Sequence, residues 1–265
     1  VSEIEAIGGW IKDADAGLDR SYRRLEQIGR LDPERLRYFE DYRSRYFNDR
    51  LMPGQGAEEI LAALRDHGGR PAHWIDLGAG VTTLFWSIGL AAAPGEVSAC
   101  DLVPEALHVL AAFKNGDETP PCYREAMALV GRPEADFEAL RRRPWTYHVF
   151  DCLQPWPAGP GRAGGHGLIS AIGCFGLSPD AGRYAGAFAA AAANLAPGGR
   201  FIGADWVRSS LLIDREGHDN RYVSPALTAA CAERAGLSTL ALARVPIAGD
   251  PYYDSVTVWA FGRAG

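Results

Sequence analysis

Hydrophobic and polar positions follow two rhythms along this chain. Residues 1–70 place apolar side chains at i, i+3 and i+4, the spacing of helices with one buried face. From residue 72 short apolar runs alternate with longer helical patterns. The runs are HWIDLG (73–78), EVSACD (96–101), TYHVFD (146–151), GLISAI (167–172), GRFIGADW (199–206), LSTLALARVP (237–246) and DSVTVWAFG (254–262). Helices are expected near 82–92, 104–114, 180–195 and 225–235, with a further one around 133–142 inside a polar 115–145 connection. Residues 155–166 read as a second connection. Such alternation predicts an α/β fold, a Rossmann-like, seven-stranded, mostly parallel sheet with helices on both faces. A helical cap or lid over 1–70 would precede a main domain over 71–265. Ser224-Pro225 marks a helix start, because the hydroxyl can cap the first turn and proline suits its first position. Ala-Pro-Gly-Gly at 196–199 reads as a stop and turn before the next strand.

Composition narrows the class. At 265 residues the chain can bury a full core, and a net charge of −6 with dispersed acidic residues favours neither nucleic acid nor an anionic membrane. A cytoplasmic protein is expected, monomeric or weakly dimeric, with a small molecule as its partner. Five cysteines (Cys100, Cys122, Cys152, Cys174, Cys231) form no CxxC pair and read as buried free thiols. The histidines show no metal-ligand spacing, so no metal is expected. Arg141-Arg142-Arg143 reads as a solvated helix end.

Chemistry concentrates in HWIDLGAGVTTLFWSIGL (73–90), a strand, a glycine turn and a helix start. Gly78 and Gly80 allow unusual φ angles and close approach of a ligand to the main chain, and the N–H groups that open the helix point into the same space. A dinucleotide site would have a third glycine where this chain has Thr83, and Asp76 inside the turn would repel a pyrophosphate. A nicotinamide-dependent oxidoreductase is therefore the weaker reading. Asp101 and Asp151 end the next two strands. A carboxylate at Asp101 suits both hydroxyls of a ribose, and one at Asp151 suits an adenine amino group. The competing interpretation of each is a strand-end Asp that caps the following helix.

DLGAG, the acidic end of EVSACD, the Asp after TYHVF and the NLAPGGRFIGADW segment together resemble a class I S-adenosylmethionine-dependent methyltransferase over residues 72–262. More narrowly, the YxxxYF pattern (Tyr42, Tyr46, Phe47), EVSACDLVPEAL (96–107) and LAPGGRFIGADWVRSS (195–210) are similar to the N-methyltransferases of nicotinamide, phenylethanolamine and indolethylamine. The resemblance implies S-adenosyl-L-methionine as cofactor and S-adenosyl-L-homocysteine as product. Asp76, Gly78 and Gly80 would surround its methionine part, with Thr82 or Thr83 near the carboxylate. Asp101 and Leu102 would hold the ribose side, Asp151 and Cys152 the adenine, and Ser170 and Ala171 would border the methyl group. Ala106 stands where the family often has Asn. Asp205 would be the catalytic carboxylate beside the acceptor, with Ser209, Tyr42 and Tyr253 also in the substrate site. Asp219 and His218 are further candidates for a base. The implied reaction is N-methylation of a small aromatic or heteroaromatic amine, in specialised metabolism by analogy; carbon or oxygen acceptors stay open.

Tyr38, Tyr42 and Tyr46 lie at i, i+4 and i+8, on one helix face, and the spacing alone favours a packed amphipathic helix. The resemblance divides them: Tyr38 and Phe39 are expected to pack, while Tyr42, Tyr46 and Phe47 reach the crevice as a lid.

Overall fold

The computed structural model describes residues 18–162 and 164–265. The cap assigned to residues 1–70 therefore begins outside the described residues. Within them, eight strands form one sheet: β1 (Arg23–Arg24), β2 (His73–Leu77), β3 (Glu96–Asp101), β4 (Trp145–Val149), β5 (His166–Ile172), β6 (Leu195–Arg208), β7 (Leu237–Pro246) and β8 (Tyr253–Arg263). Their order is β1-β4-β3-β2-β5-β6-β8-β7. The pairings from β4 through β6 are parallel, and those at both edges are antiparallel. The seven expected strands are all present. The eighth, β1, is two arginines from the N-terminal segment paired with Val149 and His148, too short for any periodicity to reveal.

The chain runs from β2 outward to β4 and then returns to the other side of β2 with β5, so the sheet's switch point lies between β2 and β5. At such a point crossovers diverge to opposite faces and leave a crevice at the carboxyl ends of the strands. Helices α1 (Pro33–Tyr46), α2 (Ala57–His67), α3 (Thr83–Trp86), α4 (Pro104–Asn115), α5 (Pro121–Val130), α6 (Glu134–Arg141), α7 (Ala181–Ala193), α8 (Ser210–Glu216) and α9 (Pro225–Arg234) surround it. One core, around Trp74, Leu84, Phe85, Leu107 and Val256, lies on one face. Another, around Ile75, Phe175, Tyr184, Phe188 and Trp259, lies on the opposite face. Alternation along the strands divides these residues: Trp74 faces one core and Ile75 the other.

Local signals explain the element ends. Ser224 Oγ accepts from Leu227 N–H at the start of α9, as Ser-Pro predicts. Asp32 caps α1 by accepting from Glu34 N–H, followed by Pro33 at the first helical position. The turn expected at 196–199 is instead an irregular start of β6, which begins at Leu195 and shifts register before Arg200. Gly198 takes a positive φ of 71° there. The 82–92 helix is a single turn, α3, continued by a 3-10 turn at Ser87–Gly89. Helix α5 falls where a polar connection is expected, and buries Cys122, Tyr123, Ala126 and Met127.

Two further expectations change on burial. Arg141 is buried, not solvated: its guanidinium lies over Phe113 and Phe137 and donates to the carbonyls of Gly116 and Glu118. Only Arg142 and Arg143 are exposed. Helix α2, inside the region assigned to the cap, buries Ile60, Leu61 and Leu64 in the main core. The five cysteines are free and buried. Among the described residues no helix is long and apolar enough to cross a membrane.

Candidate active site

Sequence and backbone geometry meet in the turn that leaves β2. Gly78 has φ +63° and Gly80 φ +49°, values that a side chain disfavours. Their surroundings differ. A Cβ on Gly78 would fall 2.5 Å from Cys174 Cβ and Sγ, so packing forbids it, whereas a Cβ on Gly80 would meet nothing within 4 Å. Gly78 is thus required by its neighbour, and Gly80 opens onto free space. Asp101, at the end of β3, fixes this turn: Oδ2 accepts from Gly80 N–H at 2.8 Å and Oδ1 from Val103 N–H at 2.9 Å. Burial raises its pKa, and these N–H groups pull against that rise.

Asp76 lies on the other side of the turn and is 2% exposed. Thr83 Oγ1 donates to it at 2.5 Å, and Ser170 Oγ donates to its other oxygen. Trp74 Nε1 donates to Ser170 Oγ at 2.7 Å, completing a buried network across β2 and β5. Desolvation pushes the Asp76 pKa up to about 6, against the hydrogen bonds from Ser170 and Thr83. These contacts make Asp76, Thr83 and Ser170 the internal brace of the turn. The resemblance places them around a ligand; here both carboxylate oxygens are already engaged by side chains. Thr82 immediately precedes α3, and its hydroxyl accepts from Trp86 Nε1 at 3.0 Å. Ala171 is fully buried behind the turn.

Next to the turn, Cys174 Sγ lies 3.3 Å from Cys152 Sγ, just beyond β4. Asp151 is engaged as well: Oδ1 accepts from Leu153 N–H at 3.0 Å, and Oδ2 is paired with Arg20 of the N-terminal segment. Tyr22 anchors that segment through a hydrogen bond shared with His148 Nδ1 at 3.1 Å. Nothing in the sequence pattern points to Arg20.

Helix α1 packs beside the glycine turn and α4. Phe39 is buried with Val81, Val103 and Ala106, and Tyr38 and Tyr42 pack against that cluster. The Phe47 ring lies 5.2 Å from Phe85, on the first helical turn after the glycines. Tyr42 is 4.9 Å from Tyr46, ring centre to ring centre. Burial is the main cause of raised pKa values at Tyr38, Tyr42 and Tyr253, each of which also feels the other nearby phenols, so these hydroxyls stay protonated. Tyr253 and Tyr38 also feel Glu216, whose Oε2 accepts from Arg208 Nη1 at 2.5 Å in a fully buried ion pair. Sequence reasoning missed Arg208 and Glu216, because only the fold brings the end of β6 against α8.

Asp205 departs from its expected role. Its side chain faces the Phe175–Tyr184 core, opposite Asp76, and is 1% exposed beneath the 3-10 turn Phe175–Leu177. Oδ1 accepts from Gly176 N–H at 2.7 Å, while Oδ2 makes no hydrogen bond of normal geometry, although the Tyr184 hydroxyl is near enough to lower its pKa. Desolvation dominates and pushes the pKa up to about 8. A neutral carboxyl under a turn holds the turn; it does not present charge to an acceptor. Trp206, the next residue, packs against the core on Asp76's face, and its ring edge passes Gly173 at the end of β5. Ser209 is likewise engaged, capping α8 through Leu212 N–H and donating to Pro251 O at 2.7 Å.

The raised carboxyls make a sign-definite prediction. Asp76 and Asp205 hold folded-state pKa values of about 6 and about 8, above their ordinary 3.8. The native chain therefore keeps protons that the unfolded chain has released, and their contribution to stability falls as pH rises from the ordinary value of 3.8 up to about 6 for Asp76 and about 8 for Asp205. Between about pH 4 and pH 8 the melting temperature of the wild type is expected to drop, by Asp205 alone above about pH 6. Asp205→Asn, which preserves the acceptor for Gly176 N–H, should drop less and be the more stable form at pH 9. Thermal denaturation followed by circular dichroism checks this, and parallel pH curves would count against it.

No family model matches the sequence, and no curated protein matches it. Solved structures do. The chain is similar to the N-methyltransferase NodS from Bradyrhizobium japonicum in complex with S-adenosylhomocysteine (15% identity, TM-score 0.56, covering 87% of this chain and 99% of that one). It is similar to a putative sarcosine dimethylglycine methyltransferase from Galdieria sulphuraria (16%, TM-score 0.55, 88% and 99%). A third neighbour is magnesium protoporphyrin IX methyltransferase from Synechocystis with bound S-adenosylmethionine (15%, TM-score 0.52, 90% and 100%). These neighbours are S-adenosylmethionine-dependent methyltransferases with different acceptors, and what this chain shares with them is the Rossmann-like methyltransferase fold.

Proposed function

We propose that this protein is an S-adenosylmethionine-dependent methyltransferase that methylates the nitrogen of a small aromatic or heteroaromatic amine. The observation that carries the reading is the Asp101 carboxylate at the end of β3, locked to Gly80 N–H and Val103 N–H beside a glycine with open space above it. A preorganised carboxylate suits two adjacent hydroxyls, and the exposed main chain at Gly80 suits a ligand that must come close. The residues present therefore fit the cofactor: Gly78, Gly80 and Thr82 would frame its amino-acid end, Asp101 its ribose, and Leu102 its purine side. Bound there, S-adenosylmethionine supplies an electrophilic sulfonium methyl group to a nucleophilic acceptor.

The chain's own task is to orient and to exclude water. Holding two reactants in near-attack geometry supplies about 7–11 kcal/mol, and this requires a rigid floor and a closing roof. The braced turn of Asp76, Thr83 and Ser170 forms the floor, and Tyr42, Tyr46 and Phe47 form the roof. Tyr38, Tyr42, Tyr46 and Tyr253 offer neutral phenols and aromatic faces, an environment for a flat acceptor that gains positive charge on methylation. The buried Arg208–Glu216 pair keeps this region neutral overall. An acceptor that arrives as an ammonium must first lose a proton. Asp219 is a poor base, because Arg221 holds its pKa down to about 2. His218 is held by the same turn as Asp205, through an Nε2 hydrogen bond to Gly176 O at 2.9 Å. Asp205 acts through the same turn, as a positioning residue.

Tyr46→Ala should weaken S-adenosylhomocysteine binding by about 3- to 10-fold, the loss of one aromatic contact, and leave the melting temperature nearly unchanged. Calorimetric titration beside a thermal melt separates the two effects; unaltered affinity would return α1 to a purely packed role. The acceptor itself is identified by mass spectrometry of amines, pyridines, indoles and phenols incubated with methyl-labelled cofactor. Labelled product from amines or pyridines supports the reading, whereas label only on carbon or phenolic oxygen overturns its nitrogen assignment.

A further inference from the structure

Trp206 follows Asp205 on β6, and alternation along the strand turns the two side chains to opposite faces of the sheet. Asp205 is buried beneath the Phe175–Leu177 turn, whereas Trp206 stays partly exposed on the face that carries Asp76. Trp206 is fixed at two points: Nε1 donates to Gln55 O at 2.9 Å, and its main-chain oxygen accepts from Asn220 Nδ2 at 2.8 Å. The ring edge passes the end of β5, where a Cβ on Gly173 would fall 3.4 Å from Trp206 Cζ3. Gly173 lies just beyond Ser170 and Ala171, the residues expected to border the transferred methyl group. Two more aromatic side chains, Phe47 and Tyr253, pack partly exposed against the same core; Tyr253 pairs with Arg208, further along β6 from Trp206.

Three carboxyls that could receive an ammonium here are committed elsewhere. Asp205 holds Gly176 N–H on the opposite face, both oxygens of Asp76 accept from Thr83 and Ser170, and Glu216 is paired with Arg208. A primary or secondary ammonium brings several N–H donors, and leaving them unpaired among rings is costly. A nitrogen that carries only carbon substituents brings none, and aromatic faces hold its positive charge, as they do in sites for quaternary ammonium groups. We propose that Trp206, not Asp205, recognises the acceptor, and that it selects a tertiary amine whose methylation yields a quaternary ammonium; this rests on the methyltransferase reading. The lone pair of the neutral amine forms the new N–C bond, the C–S bonding pair returns to sulfur, and neutral S-adenosylhomocysteine leaves. No proton is released in that step, so it needs no base, consistent with an Asp219 already paired to Arg221.

Benzyltrimethylammonium and benzylammonium test this, because they carry the same ring and the same charge and differ in their N–H groups. Ligand-observed NMR titration of each probe against the full chain saturated with S-adenosylhomocysteine reads the two affinities. The wild type should bind benzyltrimethylammonium at least about 10-fold more tightly, the discrimination expected when N–H donors go unpaired. Trp206→Leu should lose about 3- to 30-fold of that affinity, the range of one cation–π contact, and Trp206→Phe, which keeps an aromatic face, should recover part of it. Both variants should still bind S-adenosylhomocysteine. A wild type that prefers benzylammonium overturns the proposal, as does benzyltrimethylammonium affinity that survives in Trp206→Leu and is lost in Asp205→Asn; either result leaves the cofactor reading intact. Failure of the folded wild type to bind S-adenosylhomocysteine overturns both.

Discussion

Asp101→Ala is expected to lower the affinity for S-adenosylhomocysteine by at least about 100-fold, because two hydrogen bonds to a charged group are lost at about 1.5–3 kcal/mol each. The same carboxylate also ties Gly80 N–H and Val103 N–H, so the variant loses the shape of the turn as well as the contacts to the ribose. Asp101→Asn separates these contributions. It keeps one acceptor oxygen and a side chain of the same size, and it should fall between the wild type and alanine. Calorimetry reads the affinity, and a thermal melt shows that the sheet remains folded. Wild-type affinity in Asp101→Ala would remove Asp101 from the site.

The second large effect is on stability. Gly78→Ala forces a side chain into φ +63° and drives its Cβ to 2.5 Å from Cys174. Left-handed backbone costs about 1–2 kcal/mol for a residue with Cβ, and overpacking of a tight site about 1–3 kcal/mol more. At about 2–4 °C per kcal/mol for a chain of this order of size, the melting temperature should fall by about 5–15 °C. Gly80→Ala is the informative companion: its φ of +49° brings the backbone penalty, but its Cβ meets no protein atom within 4 Å. Gly80→Ala should therefore lose less stability while losing ligand affinity, because the new methyl group enters the space assigned to the ligand. Adding Cys174→Ala should recover part of the stability lost in Gly78→Ala, because it removes the sulfur; the remaining Cβ overlap limits the rescue. Equal melting temperatures for the two glycine variants would contradict the distinction drawn between them.

Much of this fold was legible as periodicity. The seven longer strands follow from apolar runs of the right length, and the glycine turn with Asp101 follows from DLGAG and the acidic end of EVSACD. What escaped depends on partners distant in sequence. Arg141 looks solvated in a triple-arginine run, yet carbonyls at Gly116 and Glu118 require its donors. Helix α5 carries apolar pairs one turn apart, at Cys122-Tyr123 and Ala126-Met127, but adjacent prolines disguise them as a connection. Asp205 illustrates the limit most clearly. Its place near the end of β6 is readable, but the face it takes is set by the register with β5 and β8 and by a turn from another segment. One position of alternation exchanges Asp205 for Trp206. Arg20 carries no motif at all, and its pair with Asp151 appears only in the fold.

The central claim is that the crevice is built for S-adenosylmethionine and not for a dinucleotide. Equilibrium titration of the purified chain with S-adenosylmethionine, S-adenosylhomocysteine and NAD tests it most directly. The account predicts one-site binding of the first two and no measurable binding of NAD, whose pyrophosphate has no place beside Asp76 and Thr83. Saturable binding of NAD with no response to either sulfur compound would contradict it.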